Sequence, residues 1–177
     1  MSGRIPLMVS GIALLSAVTL AGGAEKQTVK IDQVSAEGVG KSIGTITIEE
    51  TAHGLLITPN LEGLTPGLHG FHIHQNPQCG PAEKEGKPSP AEAAGPHLDP
   101  QHAGKHAGPY GEGHLGDLPP LFVDASGKAT LPVLAPRLKM TDVKGHALMV
   151  HAGGDNYSDN PEKLGGGGAR IACGVAQ

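Results

Sequence analysis

Histidine is the residue type whose number and spacing in this chain point most clearly to chemistry. Ten of the 177 residues are histidine, and nine of them lie between His69 and His151. Imidazole is the commonest metal ligand among protein side chains, and a nearby aspartate can complete a site. The crowding of histidines therefore predicts a metal centre.

Two of these histidines, His72 and His74, are separated by one residue. On a β-strand, residues i and i+2 point to the same face, so both rings can reach one ion while Phe71 and Ile73 face the other way. His151 directly follows the apolar run 147–150 and can join them. An all-nitrogen set of this kind favours Cu(II). The alternative is a pair of solvent-facing histidines on an exposed strand.

A second group of ligands lies in a long segment rich in glycine and proline, residues 75–120. A structureless loop of this length is unexpected in a compact domain unless it is functional, and a bound cation can order such a loop. Three imidazoles and one carboxylate make a closed tetrahedral set, which suits structural Zn²⁺. The residues concerned are His97, His106, His114 and Asp117.

Short strands must position these side chains, because no stretch shows a sustained apolar pattern at helical spacing. Runs rich in β-branched residues, bounded by glycine and proline, predict an all-β sandwich or barrel. The predicted strands are 28–34, 43–48, 54–61, 70–74, 128–134, 147–151 and 169–175.

The N-terminal segment has the features of a cleavable secretory signal. Arg4 precedes an apolar run at 7–20, small residues follow at 21–24, and Glu25 begins a polar stretch. We expect cleavage after Ala24, which leaves one domain at 25–177. The alternative is an uncleaved N-terminal anchor, although the run is short for a membrane span. Export also suggests that Cys79 and Cys173 form one disulfide rather than two free thiols.

The composition excludes several classes of function. The formal net charge of −4 argues against a nucleic-acid binder, which needs a cationic surface. Two cysteines are too few for a cysteine-rich zinc module. We therefore expect no nucleic-acid partner and, after signal cleavage, no membrane association.

Several segments, taken in chain order, resemble the signature blocks of bacterial exported copper–zinc superoxide dismutases. They run over essentially the whole mature chain. They are His69-Gly70-Phe71-His72-Ile73-His74, Gly95-Pro96-His97, Gly104-Lys105-His106, Gly113-His114-Leu115-Gly116-Asp117, Val150-His151 with the following Ala152 to Asp159, and Gly168 to Val175.

The resemblance implies a role for each matching residue. Copper would be bound by His72, His74, His97 and His151, and zinc by His97, His106, His114 and Asp117. His97 would bridge the two ions and supply a proton in the second half-reaction. Asp155 matches the carboxylate that links a copper ligand to a zinc ligand, and Arg170 matches the arginine beside the open copper position. Cys79 and Cys173 match the family disulfide.

The implied fold is an eight-stranded Greek-key β-barrel or sandwich with long metal-binding loops. The implied activity is dismutation of superoxide in the periplasm, with full secretion as the alternative address. The sequence leaves open whether the protein is a monomer or a homodimer. His102 stands where bacterial relatives are expected to have Asn, as either a surface histidine or an extra ligand.

Two other functions compete with the dismutase. The same histidines would serve an exported copper or zinc buffer or chaperone, but a transfer protein favours a methionine-rich site and the four methionines do not cluster. A zinc hydrolase needs an open coordination position and a general base. The second ligand group already fills four positions, which argues against hydrolysis.

Overall fold

β-Strands carry most of the regular structure in this computed structural model, which describes residues 25–177. The proposed signal segment lies outside the described residues. The strands, in chain order, are β1 Lys26–Ser35, β2 Gly38–Thr51, β3 Gly54–Glu62, β4 Gly67–His69, β5 Phe71–His74, β6 Ala82–Lys84, β7 Lys87–Ser89, β8 Leu121–Val123, β9 Lys128–Ala129, β10 Val133–Ala135, β11 Ala147–His151 and β12 Arg170–Val175. Short 3₁₀ helices span Glu92–Ala94, Met140–Asp142 and Lys163–Gly166.

Eight strands form the main antiparallel sheet, which is the number that the family resemblance implies. Seven follow the order β10-β3-β2-β1-β12-β11-β5, and β9 pairs with β3. The last strand therefore returns to pair with the first, which is the long-range connection of a Greek key. Alternate residues of β2 and β3, including Ile46, Ile48, Leu55 and Ile57, are fully buried and form much of the core.

The structure corrects two of the predicted strands and the predicted long loop. The segment 70–74 is strand only from Phe71, because Gly70 separates β5 from β4, which pairs with β8 in a sheet of its own. The segment 128–134 divides into β9 and β10 around Pro132, since proline has no backbone N–H for the ladder. The segment 75–120 also contains the hairpin β6–β7, whose Glu85-Gly86 turn has positive φ at both residues.

The disulfide between Cys79 and Cys173 is present, as predicted. It joins the long loop to β12 across 94 residues of sequence. The loop is thereby fastened to β12 of the main sheet. Within residues 25–177, no helix is both long enough and apolar enough to cross a membrane.

Candidate metal centre

Strand β5 is the element on which the candidate centre is built. His72 and His74 are both buried on one face, whereas Phe71 and Ile73 belong to the main hydrophobic core. This is the separation that strand alternation predicts. β5 pairs with β11, where Met149 lies opposite His72 and Ala147 opposite His74, so His151 follows at the end of the same ladder.

Two segments of the long loop pair with β5 and bring their ligands beside it. Isolated β-bridges set His97 opposite His74 and Asp117 opposite His72. Gly116 makes this close approach possible, because a Cβ atom there would lie 2.3 Å from the carbonyl oxygen of Ile73. Residues far apart in sequence therefore reach one place through backbone pairing.

The first ligand cluster contains His72, His74, His97 and His151. One nitrogen from each ring lies within 4.8 Å of the others, and Nε2 of His74 is 3.4 Å from Nε2 of His151. Nδ1 of His74 donates to the carbonyl oxygen of Gly95 at 2.8 Å, and Nδ1 of His151 donates to that of Gly168 at 3.3 Å. These bonds orient both rings with Nε2 toward the cluster.

The second cluster forms around the carboxylate of Asp117. Its Oδ1 lies 3.0 Å from Nδ1 of His97, 3.0 Å from Nδ1 of His106 and 3.4 Å from Nδ1 of His114. The structure thus brings all four residues of the predicted zinc set together. His72 is an unexpected neighbour, because it, rather than His114, is within 4.8 Å of the other three. His72 and His97 belong to both clusters.

The carboxylate of Asp155 connects the two clusters by one hydrogen bond to a ring of each. Its Oδ2 accepts a hydrogen bond from Nε2 of His72 at 2.9 Å, and its Oδ1 accepts one from Nε2 of His106 at 2.7 Å. Gly165 closes over this carboxylate with φ +72°, and a Cβ atom there would meet Asp155 Oδ1 at 2.1 Å. The rings of His72 and His106 are thereby held with their Nδ1 atoms pointing away from Asp155.

Unpaired buried nitrogens test whether these residues fit metal ions. Within the described part of the chain, four side-chain nitrogens of the clusters are buried without a hydrogen-bond partner. A buried polar atom without a partner is costly unless something else satisfies it. Imidazole nitrogens with one carboxylate oxygen are the donor types that copper and zinc take. The atoms are His72 Nδ1, His97 Nε2, His106 Nδ1 and His114 Nδ1.

Burial and neighbouring charges shift the pKa values of the histidines in the two clusters in different directions. Burial lowers the pKa of His72 and His74 well below the ordinary value, and it lowers that of His151 to about 4. Burial acts on His106 in the same sense, but the carboxylates of Asp117 and Asp155 raise its pKa to about 9. The first cluster is thus neutral and ready to coordinate at neutral pH.

Arg170, at the start of β12, has its guanidinium fixed by the long loop. Nη1 donates to the carbonyl oxygen of Ala91 at 2.7 Å and Nη2 to that of Gly95 at 2.8 Å. Glu92 Oε2 lies 3.5 Å from Nη1. The positive charge of Arg170 contributes to the lowered pKa values of His74 and His151, so it acts electrostatically on the first cluster.

The remaining histidines lie outside the two clusters. His69 is buried, with Nδ1 2.6 Å from the carbonyl oxygen of His151 and Nε2 2.8 Å from that of Thr65. Its direction could not be predicted, because Gly70 interrupts the strand alternation. His102 and His53 are exposed, and His146 makes a hydrogen bond to the carbonyl oxygen of Gln75.

Comparisons with known proteins agree on one family. The family model for copper/zinc superoxide dismutase (SODC) matches residues 42–176. Superoxide dismutase (Cu-Zn) 2 of Salmonella typhimurium is 58% identical over 93% of this chain and 96% of that protein. The Cu/Zn superoxide dismutase from Brucella abortus superposes with a TM-score of 0.85 at 55% identity, covering 86% of this chain and 100% of that one.

A second solved structure is the solution structure of the monomeric copper, zinc superoxide dismutase from Salmonella enterica. It superposes with a TM-score of 0.78 at 58% identity, and the match covers 86% of this chain and 100% of that one. These neighbours confirm the predicted Greek-key β-barrel fold.

Proposed function

Because this chain belongs to the copper/zinc superoxide dismutase family, we propose that its two clusters hold one copper and one zinc ion joined through His97. We further propose that it removes superoxide outside the cytoplasm. The family membership makes the protein an oxidoreductase with copper and zinc as cofactors and superoxide as substrate.

The first cluster is proposed as the copper site, with His72, His74, His97 and His151 as ligands. Four neutral imidazoles offer the nitrogen set that Cu(II) prefers. The second is proposed as the zinc site, with His97, His106, His114 and Asp117 as ligands. A closed set of three imidazoles and one carboxylate suits a structural zinc ion. His72 can bind only one of the two ions, because its Nε2 already donates to Asp155 and only Nδ1 remains free. We assign it to copper, whose nitrogen set it completes.

The reaction converts two superoxide anions and two protons into one dioxygen and one hydrogen peroxide. Copper supplies the one-electron redox chemistry when bound, which d¹⁰ zinc cannot. His97 is suited to hold the transferred proton at Nε2, because its Nδ1 is engaged with Asp117 in the second cluster. Arg170 is suited to attract the anion, because its guanidinium is held rigidly by two carbonyl oxygens.

The attraction of superoxide must be local, because the formal net charge of the chain is negative. A fixed cation at a cleft can raise the rate of capture of an anion whatever the overall sign of the protein charge. Arg170 provides that cation here, with Glu92 beside it as a partial counter-charge.

Export to the periplasm is supported by the signal-like sequence of residues 1–24 and by the disulfide, which persists in oxidising compartments. The Salmonella enterica relative is described as monomeric, and we propose the same state for this chain. Cell fractionation followed by mass measurement tests the address. We expect a periplasmic protein beginning at Glu25, and a cytoplasmic protein that retains residues 1–24 would contradict it.

The observation that carries the metal assignment is that His97 belongs to both clusters. The test is to load Cu²⁺ into the first cluster and Co²⁺ into the second, and to record the electron paramagnetic resonance of copper. A shared imidazolate couples the two spins, so we expect the copper signal to be lost. His102→Ala, which removes an exposed histidine of the same loop, is the matched control. A full copper signal in the doubly loaded native protein would contradict the shared ligand.

A further inference from the structure

We propose that Arg137 is a positioning residue for the zinc ligands: it holds the loop segment between His106 and His114 in the shape that lets both reach Asp117. The inference rests on the proposed assignment of zinc to the second cluster. It concerns a residue whose side chain makes its hydrogen bonds to backbone carbonyl groups and that the sequence motifs do not single out.

The segment between the two ligands has little backbone support of its own. Residues 108–110 form a turn, but within the described chain no backbone–backbone hydrogen bond of good geometry involves residues 108–113. The flanking ends are tied, since the His114 N–H donates to the carbonyl oxygen of Lys105 and the Ala107 N–H donates to Asp117. The carbonyl groups of the segment between these two ends need other hydrogen-bond donors, because buried carbonyl groups are rarely left unpaired.

Arg137 supplies that order with all three of its guanidinium nitrogens. Nε donates to the carbonyl oxygen of Pro109 at 3.0 Å, and Nη1 donates to that of Gly113 at 3.2 Å. Nη2 donates to the carbonyl oxygens of Gly108 at 3.2 Å and His114 at 2.6 Å. Three of these four carbonyl groups belong to residues that are themselves buried.

The shortest of these bonds acts on a ligand directly, because it ends on the backbone of His114 itself. The other three bonds fix the path that leads from His106 to His114. All described hydrogen bonds of the guanidinium are to carbonyl groups of this loop. Arg137 therefore stabilises the loop rather than an ion pair with a carboxylate.

The backbone that carries Arg137 is anchored in the main sheet. Ala135, at the end of β10, pairs with Leu55 of β3, and Leu138 is buried in the core. Arg137 therefore fixes the irregular loop relative to the main sheet. Its planar fork of five donors can serve four acceptors at once, whereas a lysine ammonium has three donors at a single point.

The test compares the affinities of the two clusters in the folded full chain. Co²⁺ is the probe of the second cluster, followed by its visible absorption, and Cu²⁺ is the probe of the first. For Arg137→Ala we expect the Co²⁺ dissociation constant to rise about 10–100-fold, the usual effect of losing a partner that supports ligands. The Cu²⁺ dissociation constant should stay within about twofold, since His72, His74 and His151 are on strands.

Arg137→Lys and Arg137→Gln keep the test valid if the alanine variant fails to fold. Both retain some donors, so we expect Co²⁺ affinities between those of the native protein and Arg137→Ala. Lys139→Ala removes an exposed cation two residues away and should bind both ions as the native protein does.

Two results would overturn the inference while leaving the zinc assignment intact. One is an unchanged Co²⁺ affinity in all three Arg137 variants. The other is an equal loss of Cu²⁺ and Co²⁺ affinity that follows the loss of folding stability, which would make Arg137 a general structural residue. Failure of the native protein to bind Co²⁺ at the second cluster would instead overturn the zinc assignment, and this inference with it.

Discussion

Each imidazole in the centre is defined by which of its two nitrogens is already bound. His74 and His151 use Nδ1 for backbone carbonyl groups and present Nε2, whereas His72 and His106 use Nε2 for Asp155 and present Nδ1. The partners of these rings were beyond sequence reasoning, except for Asp155, which the family resemblance supplied. The residues that gather in the two clusters were readable from the sequence, but the tautomers of their rings depend on contacts between distant segments.

The charge of Arg170 should control the capture of superoxide. Arg170→Ala is expected to lower the second-order rate constant about tenfold and Arg170→Glu by more, because the glutamate repels the anion. The difference should shrink as salt is added, since the Debye length falls to about 10 Å at 0.1 M. Pulse radiolysis at several ionic strengths measures both effects, with the exposed Lys41→Ala as control. Equal rates for both variants at every salt concentration would contradict the role.

At the scale of elements, the centre depends on one strand held between partners. β5 pairs with β11 on one side and meets the loop segments at His97 and Asp117 on the other. The spacing of His72 and His74 predicted their common face from the sequence. The loop pairing was not predictable, because it depends on Gly116 passing close to Ile73, and one sequence shows no such contact.

The strands that the sequence did not predict are short. Long alternating runs such as β2 and β3 were recognised because their apolar residues repeat every second position. β6, β7 and β8 have three residues each, too few for a period to be seen. β4 also has three residues, and Gly70 separates it from β5, so the motif from His69 to His74 spans the end of one sheet and the start of another.

The long loop should depend on its zinc ligands for order. We expect His114→Ala to retain copper, because that ligand set does not include His114, and to lose zinc with greater mobility of residues 75–120. Limited proteolysis with mass mapping measures the mobility, and metal analysis measures both ions. His53→Ala, which removes an exposed histidine of the β2–β3 turn, is the control. An unchanged cleavage pattern in the variant would count against ordering of the loop by zinc.

For the whole molecule, the centre places a group of buried neutral histidines between β5 and the long loop, on the opposite face of the strand from the core residues Phe71 and Ile73. An unfolded histidine has an ordinary pKa of about 6.5, whereas burial lowers the pKa of His72, His74 and His97 and brings that of His151 to about 4. Their contribution to stability is present above about pH 6.5 and is lost as the pH falls toward the lowered values. His106, with its raised pKa of about 9, contributes in the opposite sense.

The metal-free protein should therefore unfold more easily in mild acid. Four histidines with lowered pKa outweigh the one with raised pKa, so we expect the free energy of unfolding to be smaller at about pH 5 than at about pH 7. Urea unfolding of the metal-free protein at both pH values measures it. His151→Asn should reduce the difference, and His53→Asn should leave it unchanged. A metal-free protein of equal stability at both pH values would contradict the burial of neutral rings.

The most direct test of the account is the rate of superoxide decay, measured by pulse radiolysis. The full chain is compared with copper and zinc bound, with zinc alone, and without metal. We predict a rate constant near the diffusion limit of about 10⁸–10⁹ M⁻¹s⁻¹ only when copper is bound. A fully loaded protein that consumed superoxide no faster than the zinc-only form would contradict the account, and would make the two clusters a store for metal rather than a catalyst.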